Sequence, residues 1–217
     1  VAIVWPSPFI PLPGLHVYVG SVKSDELVNL ATQAGHSLDW TPVQAARASW
    51  ADWRQALQTS VVTLEKLLAL LPVSVGIDID VMYPSTAEVR SNPGMPKMEV
   101  NHFVDTILHT VYAAGTSNRE QSRKILFSSR SPTVCTALNW QQPNYAVFFA
   151  SFCGIDGAAS LERGELLPST RHETDPRRES ISEAVRFAKS NNLLGIMVDV
   201  ALLNHVPHLV ESVKASG

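Results

Sequence analysis

Lys124-Ile-Leu-Phe-Ser-Ser-Arg-Ser-Pro-Thr-Val-Cys135 runs from a β-rich stretch straight into a helix start, with only Ser129 and Arg130 between them. Residues 124–128 are branched and aromatic enough to form a strand. Ser131 is placed to cap a helix and Pro132 to occupy its first position, where the absent N–H has no partner to lose. The helix then runs to about residue 138. The same change of period recurs along the chain, with strands expected at 75–83, 145–150 and 194–198, and a further one at 2–5.

Helical patterns fill the intervals. Ser24 is placed to cap a helix through residue 34, and residues 50–71 carry apolar side chains at helical spacing with a break near Thr63. Residues 99–114 read as another helix, and Ser180 with Glu183 has the spacing of a capping box ahead of a helix ending at Asn191-Asn192. Residues 201–214 are helical, with Pro207 near the first turn or at a boundary between two short helices. Strand–helix–strand units demand parallel pairing, since each helix returns the chain to the same end of the sheet. Barrel and doubly wound sheets share this pattern, and periodicity does not separate them. No glycine-rich phosphate loop follows any strand. Residues 84–98 and 151–178 read as irregular, the second as a flexible surface insertion.

A chain of 217 residues, 45% of them hydrophobic, suits one large domain spanning 1–217. A formal charge of -3 and a pI near 6.2 give no general electrostatic reason for binding nucleic acid or an anionic membrane. The longest apolar run, residues 67–77, is too short to span a bilayer and contains Pro72 and Ser74. Cys135 and Cys153 are too few for a disulfide framework and point to a cytoplasmic or nuclear setting. The chain begins at Val1 without an initiator methionine and is read as a piece of a longer protein.

Ile79-Asp-Val-Met-Tyr-Pro84, Lys124 to Cys135, Asn139-Trp-Gln-Gln-Pro-Asn-Tyr145 and Glu183-Ala-Val-Arg-Phe-Ala-Lys-Ser-Asn-Asn-Leu-Leu-Gly195 together resemble the glycerophosphodiester phosphodiesterase family. Within the family the likeness is greatest to domains of fungal phosphate-starvation regulators that inhibit a cyclin and cyclin-dependent kinase pair. The long fungal phosphodiesterases with an SPX domain and ankyrin repeats come next. The resemblance implies an α/β fold of the (β/α)₈ TIM-barrel type, incomplete in this chain because the family's first and last strands would fall outside it.

Active members of the family cut a phosphodiester with a carboxylate-held divalent cation, calcium or magnesium, and two proton-transferring histidines. No His-Arg-Gly motif occurs here, and so no Glu-x-Asp pair beside one. The family's second histidine, in a His-Asp pair, aligns with Pro6-Ser7, and its Glu-x-Lys pair with Asp80-x-Met82. Neither Pro6 nor Ser7 can shuttle a proton at neutral pH, and Met82 cannot neutralise a phosphate oxygen. The resemblance therefore implies a domain that has lost hydrolysis within a regulator acting on a cyclin and cyclin-dependent kinase through the full-length protein. An active phosphodiesterase and a non-hydrolytic phosphoester-binding module are the alternatives.

Asp78 and Asp80 share one strand face and stand either as a residual ligand site, with Asp80 as a metal ligand, or as wet acids near the barrel mouth. Ser128 is a further ligand-binding candidate, since it and Ser129 end a barrel strand, where such folds place functional groups. Other residues invite plainer readings. His205 and His208 read as satisfied or surface histidines, and His102 with His109 as an ordinary helix face. Trp50, Trp53 and Leu57 read as core, Arg171, His172, Arg177 and Arg178 as a solvated loop with some capacity for an anion, and Cys135 as a buried structural thiol.

Overall fold

The computed structural model describes residues 2–5, 9–12, 15–91, 95, 98–116, 123–169 and 175–215. In chain order these form β1 (Ile3–Val4), β2 (Phe9–Leu12), β3 (Leu15–Tyr18), α1 (Ser24–Gln33), α2 (Pro42–Arg47) and α3 (Trp50–Thr59). There follow β4 (Val62–Thr63), α4 (Leu64–Leu70), β5 (Ile77–Asp80), α5 (Thr86–Ser91), α6 (Val100–Thr116), β6 (Ile125–Ser129) and α7 (Pro132–Gln141). The last elements are β7 (Ala146–Ser151), α8 (Gly157–Arg163), α9 (Pro176–Glu179), α10 (Ile181–Ser190), β8 (Gly195–Val198), α11 (Val200–His205) and α12 (Leu209–Ala215). They divide into two compact units, one of residues 1–76 and 92–124, the other of residues 77–91 and 125–217.

In the first unit, β1 pairs antiparallel with β4 and β2 with β3. Its core gathers Leu38, Ala45, Trp53, Ala56, Val62, Leu67 and Leu70, with Trp40 meeting Trp53 edge-to-face at 4.9 Å between ring centroids. Two capping boxes start α2 and α3: Thr41 exchanges hydrogen bonds with Gln44, and Ser49 with Asp52. The expected break near Thr63 is present, and Thr63 itself caps α4. The Arg123 guanidinium closes the other end of α4, donating to the carbonyls of Leu68, Leu71, Pro72 and Val75. These include carbonyls that a helix end leaves without partners. Two sequence expectations are corrected here. Lys23, not Ser24, is the residue preceding α1, and its side chain makes no cap. Trp50 is 70% exposed, because the buried arc of α3 is centred on Trp53 and Ala56.

The second unit is built on a four-stranded parallel sheet in the order β5-β6-β7-β8, each strand beside the next in sequence. Alternation divides its residues between two faces. Phe127, Ser129, Val147, Phe149 and Ser151 point to one face and are buried, where α7 and α10 pack on the strands. Phe149 meets Phe187 of α10 edge-to-face at 5.0 Å. The opposite face carries Asp78, Asp80, Leu126, Ser128, Phe148 and Met197, as the register of the ladders requires. Ser131 caps α7 and Pro132 is its first residue, as the sequence leads one to expect. Ser180 likewise caps α10 by accepting from the Glu183 N–H. The stretch read as irregular at 84–98 contains α5, and that at 151–178 contains α8 and α9.

Candidate functional site at the carboxyl ends of the parallel strands

Parallel strands bring all their carboxyl ends to one edge of the sheet, so the residues that finish each strand become neighbours. On β5 the acidic pair Asp78 and Asp80 stands on the face not covered by helices, and both residues are exposed. The neighbouring strand supplies their partners. The Ser128 hydroxyl donates to Asp78 Oδ1 at 3.0 Å, and Arg130, just past β6, reaches Asp80 Oδ2 at 3.5 Å. The Arg130 guanidinium also lies over the Phe152 ring, 5.0 Å from its centroid, so an aromatic face from the end of β7 supports the cation. Met82, two residues beyond Asp80, is exposed.

Two serines side by side do different work because their side chains point to opposite faces. Both are buried, but Ser128 faces the acids, whereas Ser129 donates to the Val81 carbonyl at 2.6 Å and accepts from the Ser131 N–H. Ser129 thereby joins the end of β5 to the start of α7. The carboxyl of Asp78 is held above the usual carboxylate range by desolvation; Ser128 opposes this, and the Asp80 charge adds to it. At the end of β8, Asp199 caps α11 by accepting from the Ala201 N–H, and its carboxylate lies so close to Gly157 that a Cβ there would run into it.

Asp78, Asp80, Met82 and Ser128 are thus together on one sheet. Pro6 and Ser7 lie outside the described residues, as do Arg171 and His172. Arg177 makes a bidentate pair with Asp175 and rests on Phe187. Cys135 is fully buried, with its thiol pushed up to about 12 by desolvation. In the first unit, His102 and His109 line a cavity of about 440 Å³ with Glu65 and Asp105. His205 and His208 do not converge: His205 is bonded to two backbone carbonyls, while His208 is near Glu211 on an exposed turn. Arg130 and Phe152 were not singled out from the sequence. The signal for each is position, two residues beyond Ser128 and Ala150 on the same face.

A hard divalent cation asks for several oxygen ligands converging on one point. Among the described residues no three His, Cys, Asp or Glu side chains are grouped so as to hold a metal ion. The two carboxylates at the strand ends are engaged by Ser128 and Arg130. The described residues therefore do not fit the cation that the resemblance implies.

Consecutive parallel strands joined by helices and lying side by side in sequence order, with polar side chains collected at their carboxyl ends, define an α/β protein whose sheet is arranged as in a barrel. Comparison with known families sharpens that class. The chain belongs to the glycerophosphoryl diester phosphodiesterase family, whose model matches residues 12–217. The family's domain is a TIM barrel, and the four parallel strands are an arc of one that does not close among the described residues. Ankyrin repeat protein nuc-2 of Neurospora crassa is 30% identical over 100% of this chain and 23% of its own length. Glycerophosphocholine phosphodiesterase GDE1 of Candida albicans is 34% identical over 75% of the chain and 12% of its own length. The phosphate system positive regulatory protein PHO81 of Saccharomyces cerevisiae is 25% identical over 98% of the chain and 19% of its own length. The chain spans less than a quarter of each of these relatives. No solved structure matches it.

Proposed function

We propose that this chain is a non-hydrolytic glycerophosphodiester phosphodiesterase domain within a regulator of phosphate-starvation signalling. The observation that carries the reading is the Asp80–Arg130 pair, with Met82 beside it. Asp80 is neutralised by a guanidinium from the next strand, and its neighbour on the same face is a thioether. Hydrolysis of a phosphodiester needs charge neutralisation at phosphate and a proton for the departing alkoxide, the second alone worth roughly 10²–10⁴ in rate. Pro6-Ser7, where the resemblance implies the family's histidine, offers no such proton.

The similarity to nuc-2 and PHO81 across nearly the whole chain supports the regulatory setting. In that setting the full-length protein acts on a cyclin and cyclin-dependent kinase, in the cytoplasm or nucleus. Two cysteines without a disulfide accord with a reducing compartment. The exposed face of Arg130 favours a second reading, in which the strand ends still take a phosphoester without cutting it.

The test is an assay of the full-length protein with glycerophosphocholine and with glycerophosphoinositol, in calcium and then in magnesium. Release of glycerol 3-phosphate at the protein-free rate is expected. Metal-dependent turnover would overturn the proposal and establish an active phosphodiesterase that yields glycerol 3-phosphate and an alcohol. Calorimetric titration with the same compounds separates the second reading, which requires heat of binding without turnover.

A further inference from the structure

His205 closes the last turn of α11, and both of its ring nitrogens meet backbone carbonyls. Nδ1 lies 2.9 Å from the carbonyl of Ala201 in its own helix, and Nε2 lies 3.0 Å from that of Gly164. A carbonyl only accepts, and a neutral imidazole has one N–H to give. Both contacts are therefore hydrogen bonds only when the ring carries two protons. Gly164 is the left-handed residue that ends α8, with φ of 72°, so the acceptor sits at the carbonyl end of a helix, where positive charge is favoured.

The other end of α8 meets the same helix. Gly157, its first residue, abuts the carboxylate of Asp199, the cap of α11. Thus α8 meets α11 at both ends, against an acid at its start and an imidazole at its end. The helix also belongs to the segment that leaves the carboxyl end of β7, beside the strand ends described above.

We propose that His205 is a pH-operated clasp that holds α8 against α11 when doubly protonated and, keeping its one remaining N–H on Nδ1 for the Ala201 carbonyl of its own helix, releases the Gly164 carbonyl when neutral. The ionisable side chains around the clasp are Arg163 and Glu165, on either side of Gly164, Asp199 at the start of α11, and His208 with Glu211 beyond Val206. None of these sets the direction of the His205 shift. Its proton is held above the ordinary imidazole range first by the Gly164 carbonyl and then by that of Ala201, against a little desolvation. A folded value raised in this way stabilises the clasped form fully below the unfolded pKa, about 6.5. That contribution fades as pH rises through the folded value.

The test is a proton–carbon NMR titration of the histidine side chains with hydrogen exchange of the Gly164 and Leu167 amides in the same pH series. These amides report on the end of α8 because they donate to the Ser160 carbonyl and hydroxyl. The His205 midpoint is expected above about 6.5. Protection factors at the two amides, corrected for intrinsic rates, should fall roughly two- to tenfold through that midpoint, as loss of one hydrogen bond implies. In His205→Gln, whose amide does not titrate, the step should vanish. A midpoint at or below the peptide value, flat protection in the unmodified protein, or a step that survives in the variant would each overturn the proposal.

Discussion

Replacing Ser129 by alanine tests the claim that adjacent serines on β6 serve opposite faces of the sheet. The Ser129 hydroxyl gives a hydrogen bond to the Val81 carbonyl and takes one from Ser131 N–H, and both Ser129 and Val81 are almost wholly buried. Deleting it leaves an acceptor and a donor with reduced satisfaction, each costing about 1–3 kcal/mol where water does not enter. The sum is about 2–6 kcal/mol. Ser128→Ala removes a hydroxyl whose partner, Asp78, is an exposed residue and regains water; about 0.5–1.5 kcal/mol is expected. Urea unfolding followed by circular dichroism measures both. With a slope of about 2 kcal/mol per molar, Ser129→Ala should lower the midpoint by about 1–3 M and Ser128→Ala by less than about 0.8 M. The slope should stay unchanged if both variants unfold from the same native state. Equal losses, or a larger loss for Ser128→Ala, would show that face alternation does not set the roles of these two residues.

Gly157→Ala drives a methyl group into the Asp199 carboxylate and should destabilise more than Gly164→Ala, which meets nothing within 4 Å. The latter carries only the penalty of a left-handed alanine, about 1–2 kcal/mol, and the two thermal midpoints check the order. Cys153 should react with a thiol reagent in the native protein well before Cys135, which is fully buried and whose thiol is pushed up to about 12; mass spectrometry of the partly modified protein reads this directly. Asp175 is held below the usual carboxylate range chiefly by its hydrogen bond from Arg177. Its contribution is present above the unfolded pKa of about 3.9 and is lost as pH falls through the lower folded value. The urea midpoint should therefore drop more steeply on acidification in the unaltered protein than in Asp175→Asn.

What could be read in advance depended on whether the signal was local. Ser131-Pro132 announced α7 because a cap and a proline at the first helical position act within one turn. Asp78 and Asp80 were placed on one face by the two-residue period of a strand alone. The same reasoning reached Trp50 and failed, since helical spacing says which residues share a face without saying how wide the buried arc is. Short helices escaped notice although their caps were legible: Thr41 with Gln44 before α2, and Ser85 with Glu88 before α5, have capping-box spacing. A window long enough to show helical periodicity is longer than either helix.

Arg130 escaped for a different reason. Its relation to Asp80 follows from the parallel register that sets Asp80 opposite Ser128, and register is a tertiary quantity. The position also changes how Met82, where the resemblance implies a lysine, bears on the site. The strand ends do not lack a cation; a cation is supplied from β6 and leans on an aromatic ring from β7. With its side chain 36% exposed, and Asp80 at 45%, the pair is worth little to stability, about 0–1 kcal/mol. Its weight falls instead on the charge that the strand ends present. Arg130 reaches the Asp80 carboxylate from the end of β6 and satisfies part of its charge. Asp80 is thereby one half of an ion pair with Arg130, and Met82 adds no charge beside it, which is the physical content of the non-hydrolytic reading.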